Sequence, residues 1–291
     1  MIWIIVPAVG VLVAATWVAW WGSNIVFHPP KMLKMEIWPD KYQLVFDPVE
    51  FRTSDGLTLK GWLIPAASAT DKTLLLLHGW GDNKGDLLQR VHPLAKDFNL
   101  FLFDFRQHGE SQGTLSTIGC LESRDVEAAL EFLKATRPAW TADLGAFGLS
   151  MGAAVAIWAA GRHPEIKAVA VESPYSSFNR VVTQWLKNEM SLPYFPFAWL
   201  TLLAVRLRVG TDPEPYSPER HAARVSPRPF FVIAGEMDRL MPLNIVREVY
   251  DAAREPKELW VVPGATHGKC EEAAGSEYSG RLAEFFRRHL G

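Results

Sequence analysis

Two pentapeptides in this chain carry a serine between spaced glycines, the G-x-S-x-G pattern of a nucleophile set on a tight turn. One is Gly148-Leu149-Ser150-Met151-Gly152, the other Gly109-Glu110-Ser111-Gln112-Gly113. A serine hydroxyl is a weak nucleophile until a neighbouring base takes its proton, and the base needs an acid to orient it. Sequence context separates the two serines. An apolar run, Asp143–Gly148, leads into Ser150, and a run of small residues, Ala153, Ala154 and Ala156, follows it. That is a strand, a sharp turn and a slim helix, the setting in which a nucleophile is exposed at a sheet edge. Ser111 follows a polar loop and precedes polar Thr114, so it reads as a turn residue held by local hydrogen bonds.

Base and acid must come from the same edge of the sheet as Ser150. In an open parallel sheet that edge is formed by the C-terminal ends of the strands. His267 follows the apolar run 258–262 in the loop Pro263-Gly264-Ala265-Thr266-His267-Gly268. Asp238 follows the run 229–235 in Gly235-Glu236-Met237-Asp238. Glu236 and Glu172, the latter at the end of the run 167–172, are competing acids; Asp238 is preferred. The resulting order is Ser150, Asp238, His267. An oxyanion needs backbone donors: Met151, directly after the serine, and Trp80 in the loop His78-Gly79-Trp80-Gly81-Asp82-Asn83. His78 reads as a brace for that loop.

These groups require a scaffold. The run 48–65 around Ser54-Asp55-Gly56 reads as a hairpin, and apolar strands near 73–79, 100–105, 143–148, 167–173, 229–235 and 258–264 alternate with helical stretches. Alternation of this kind predicts an α/β fold with a mostly parallel sheet. A segment at about 176–225 breaks the rhythm as an apolar insertion of some fifty residues between two strands. It is rich in aromatic residues, and Trp185, Phe195, Phe197 and Trp199 are its candidate substrate-binding residues.

The order of these motifs, with Asp104–Gly113 among them, resembles the α/β-hydrolase superfamily, and most of all its serine esterase, lipase and acyl-hydrolase branch with a cap. The resemblance spans about Phe46 to Gly291. It implies an eight-stranded, mostly parallel sheet flanked by helices and carrying a helical cap, with Ser150 as nucleophile, His267 as base, Asp238 as acid, the Trp80 and Met151 amides as oxyanion hole, and no cofactor. Family members often have glycine where this chain has Gln107. The chemistry implied is hydrolysis of carboxylic esters of hydrophobic or lipid-like substrates through an acyl-enzyme. A thioesterase or a serine peptidase would use the same three residues. A non-catalytic binding protein on this fold would be expected to lose one of them.

The chain has 291 residues, 48% of them hydrophobic and 21% charged, and a net charge of −2. Without a basic stripe, nucleic acid is not an expected partner. Cys120 and Cys270 have no metal-ligand spacing, and no metal is expected. Four of its 12 tryptophans fall among the first 21 residues, and no charged side chain lies between Ile2 and Phe27. Trp3 and Trp21 stand about 27 Å apart at helical rise, close to the hydrocarbon thickness. Residues 1–28 therefore read as an N-terminal transmembrane anchor, 29–45 as a linker and 46–291 as the hydrolase domain. A cleaved signal peptide is the competing reading, disfavoured because no Lys or Arg precedes the apolar run. Lys31, Lys34 and Lys41 after the span predict a single-pass membrane protein with a cytoplasmic catalytic domain.

Overall fold

The computed structural model describes residues 2–29 and 36–291, with side chains from residue 10 onward. Lys31 and Lys34, on which the expected orientation rests, and most of the first half of the expected linker lie outside the described residues.

Eight strands form one sheet: β1 (Asp47–Arg52), β2 (Thr58–Ile64), β3 (Lys72–Leu77), β4 (Asn99–Phe103), β5 (Asp143–Leu149), β6 (Ile166–Glu172), β7 (Phe230–Gly235) and β8 (Lys257–Val262). Their spatial order is β1-β2-β4-β3-β5-β6-β7-β8. The β1–β2 and β2–β4 pairs are antiparallel and the others parallel. This is the α/β-hydrolase fold. The central strands carry apolar residues on both faces because helices cover both sides.

The helices are α1 (Ile2–Phe27), α2 (Lys84–Val91), α3 (Glu122–Thr136), α4 (Met151–Ala160), α5 (Phe178–Met190), α6 (Trp199–Val209), α7 (Pro218–Ala222), α8 (Leu243–Ala252), α9 (Cys270–Ala274) and α10 (Ser276–His289). Helices α5, α6 and α7 lie in the insertion between β6 and β7. All ten residues of α4 are buried, which its alanines permit.

Helix α1 is long and apolar enough to cross a membrane. At 26 residues it is about 39 Å long. A bilayer core takes about 30 Å, or roughly 20 residues. The C-terminal end of α1 is packed: Gly22, Ser23, Val26 and Phe27 are buried against the rest of the protein. The expected border between anchor and catalytic domain is thus not a gap in space. The final turns of α1 belong to the packed body.

Candidate active site

Ser150 stands between β5 and α4 with φ 51° and ψ −108°. A non-glycine residue here costs on the order of 1–3 kcal/mol and survives only where its surroundings impose it. Two glycines impose it. A Cβ on Gly148 would fall on the carbonyl of Gly152, and a Cβ on Gly152 would fall on that of Leu77. Only glycine at both positions lets strand, turn and helix close around the serine.

The structure brings Ser150, His267 and Asp238 together. Ser150 Oγ lies 3.1 Å from His267 Nε2, and His267 Nδ1 lies 2.8 Å from Asp238 Oδ2. A carboxylate only accepts, so Nδ1 carries the proton and Nε2 is left as acceptor for the serine hydroxyl. Asp238 is buried and takes three further hydrogen bonds. Its Oδ1 accepts from the Leu240 amide at 2.9 Å and the Met241 amide at 2.7 Å, and its Oδ2 accepts from Ser173 Oγ at 3.0 Å. The competing acids are engaged elsewhere. Glu236 accepts from the Gly264 amide at 2.9 Å. Glu172 accepts from the Tyr278 hydroxyl at 2.5 Å and the Cys270 amide at 3.3 Å.

Met151 opens α4, so its N–H lies in the first turn and has no intrahelical acceptor. Trp80 lines the cavity beside Ser150. Its loop is braced by two histidines. His78 Nε2 accepts from the Phe105 amide at 3.0 Å, while its Nδ1 donates to the Gly79 carbonyl at 2.7 Å. His108 Nε2 accepts from the Gly81 amide at 3.1 Å, while its Nδ1 donates to the Arg106 carbonyl at 2.8 Å. Each ring must donate and accept at once, so each is a neutral imidazole. Burial pushes both rings below the usual histidine range, His78 far below it. Ser111 is locked away from this chemistry: its Oγ donates to the Asp104 carbonyl at 2.6 Å and accepts from the Lys60 amide at 2.9 Å.

A cavity of about 160 Å³ opens over Ser150 and His267. Trp185 of α5 lines it, with Val181, Val182 and Leu186. Phe195, Phe197 and Trp199 do not line it; Phe195 and Trp199 face outward as exposed side chains. The expectation of an aromatic lining from the whole cap is corrected here. Helix α6 is apolar on more than one face, and the face turned inward carries Thr201, Leu202 and Val205 instead. The place of the missing aromatics is taken by Gly22, Ile25 and Val26 at the end of α1.

Three other groups went unnoticed in the sequence. Ser173 follows β6 at φ 49° and holds Asp238; nothing but its position after a strand marks it. Arg90 donates to the Gly268 carbonyl at 2.5 Å and lies 3.7 Å from Asp82, tying the histidine loop to the Trp80 loop. The Trp80 indole N–H donates to the Val26 carbonyl at 3.2 Å. That carbonyl is one of the last four of α1, which lack intrahelical donors.

A family model described as serine aminopeptidase, S33, matches residues 68–226. The uncharacterized protein YfhR of Escherichia coli O157:H7 is 30% identical over 253 residues, covering 84% of this chain and 79% of its own. The Pyrococcus furiosus esterase Pf2001 superposes with a TM-score of 0.76 at 27% identity, covering 91% of this chain and 99% of that one. A bacterial membrane phospholipase A shares the fold over 99% of both chains, with a TM-score of 0.60 at 17% identity.

Proposed function

Because the chain belongs to the serine aminopeptidase S33 family of α/β hydrolases, we propose that it is a serine hydrolase of carboxylic esters with hydrophobic acyl groups. The observation that carries the reading is the unbroken relay from Asp238 through His267 to Ser150, at 2.8 and 3.1 Å. In the reaction His267 Nε2 takes the Ser150 proton as Oγ attacks the ester carbonyl. The carbonyl oxygen becomes an oxyanion between the Met151 and Trp80 amides. Collapse expels the alcohol, which takes its proton from His267. Water, deprotonated by the same ring, then cleaves the acyl-serine and restores the hydroxyl.

The esterase likeness of Pf2001 supports an ester over an amide substrate. So does the cavity. Recognition of a free peptide amino terminus would call for a carboxylate, and no Asp or Glu is among the residues that line it. The proposal includes a single-pass anchor in α1, with the catalytic body in the cytoplasm. A fluorophosphonate probe tests the nucleophile. Labelling is expected of the wild type and of Ser111→Ala, and not of Ser150→Ala; labelling that survives Ser150→Ala overturns the assignment.

A further inference from the structure

Large apolar side chains are exposed mainly in two places among the described residues, along α1 and on the cap. On the cap, Phe195, Trp199, Leu203 and Leu207 recur every fourth residue, with exposures of 69%, 45%, 42% and 75%. On α6 that spacing is one stripe along one face. The neighbouring face, through Thr201, Leu202 and Val205, is buried. A soluble surface does not ordinarily carry a contiguous apolar stripe of this kind.

What adjoins the stripe is α1. The two helices pack together, and Gly22 is a point of close approach, since a Cβ there would overlap the Thr201 side chain. Arg208 donates to Ser23 Oγ at 2.6 Å and stacks over the Phe27 ring at 4.6 Å. Gly22 and Thr201 also both line the cavity over Ser150. The cavity wall is therefore made in part by the seam between the anchor and the cap. At about 160 Å³ the cavity has the size of one that holds a benzene ring, so a long acyl chain must extend past it.

We propose that the outer stripe of α6 lies in the leaflet that α1 enters, and that the cavity opens to the bilayer along the α1–α6 seam. The substrates are then long-chain esters dissolved in the membrane, whose carbonyl reaches Ser150 while the tail stays in lipid. This inference rests on the ester-hydrolase reading for its substrate class and on the α1 anchor for the membrane contact.

The test uses the full chain in vesicles of phosphatidylcholine and phosphatidylglycerol, so that α1 anchors every variant alike. Leu203→Glu/Leu207→Glu is expected to hydrolyse soluble p-nitrophenyl acetate as the wild type does. Hydrolysis of p-nitrophenyl palmitate in the bilayer should fall about tenfold or more, as charges on a lipid-facing helix lift it from the surface. Equal loss on both esters, or loss on neither, overturns the proposal. The contact itself is read with an environment-sensitive NBD label on Leu203→Cys, with Glu131→Cys on α3 as control; the native cysteines are buried. Only the label on the Leu203→Cys variant should shift to the blue and be quenched by lipids brominated in their tails. Cross-linking between copies of the Leu203→Cys variant through the introduced thiol, without that quenching, would make the stripe a protein interface and sink the membrane contact. A wild type that hydrolyses neither ester removes the ester-hydrolase reading, while the NBD label still decides whether α6 meets lipid.

Discussion

Ser173 does not line the cavity, yet it supplies one of the four hydrogen bonds to Asp238. Ser173→Ala leaves the other three, with Oδ2 held by His267 Nδ1 alone. It is expected to lower kcat several-fold, about 1 kcal/mol in barrier, with KM unchanged; steady-state kinetics on a short ester check the split. His78 and His108 give a stability prediction. Their folded-state values lie below the usual 6.5, so the unfolded chain binds more protons than the folded one as pH falls past about 6.5. Stability is full above that pH and declines below it. Melting temperatures across pH 7 to 5 should drop, and His108→Gln should flatten the slope. Residue types and strand ends made Ser150, Asp238 and His267 legible in the sequence. Ser173 was not, because a serine after a strand has no periodicity and its role depends on a partner 65 residues away.

At the scale of elements, closeness of backbone decides. Gly152 lets α4 lie against the end of β3, and Gly152→Ala should destabilise the protein by about 3 kcal/mol or abolish folding, as seen by chemical denaturation. Gly22→Ala forces α1 off α6 through the Thr201 side chain. The expected result is a loss of thermal stability that Thr201→Ala restores in part, which a simple loss of helix propensity would not do. Strands were readable from apolar runs and turn residues, and all eight lie within a few residues of their expected places. The inward face of α6 was not readable, because a helix that is apolar nearly all round has no periodicity to show which side meets the protein.

Over the whole molecule, α1 is both an apolar rod and a wall of the cavity. Its 26 uncharged residues carry no internal sign of where the packed body begins; only the burial of Gly22, Ser23, Val26 and Phe27 marks it. Two truncations separate these roles. Removing residues 2–20 should preserve hydrolysis of a soluble ester in detergent. Removing 2–28 should lower it and the melting temperature together, since the Trp80 indole loses the Val26 carbonyl, the Ser116 amide loses its 2.8 Å bond to Phe27 and buried Thr201 loses the Gly22 backbone packed against it.

That shared wall makes the protein a poor candidate for modular rebuilding. A membrane tether is usually treated as an interchangeable part, to be clipped off for expression or swapped for another organism's. Here the residues that line the cavity over Ser150 begin at Gly22, inside the apolar stretch. A chimera must join its foreign helix before that glycine and keep the helical phase, or Ile25 and Val26 will rotate away from the serine they help enclose.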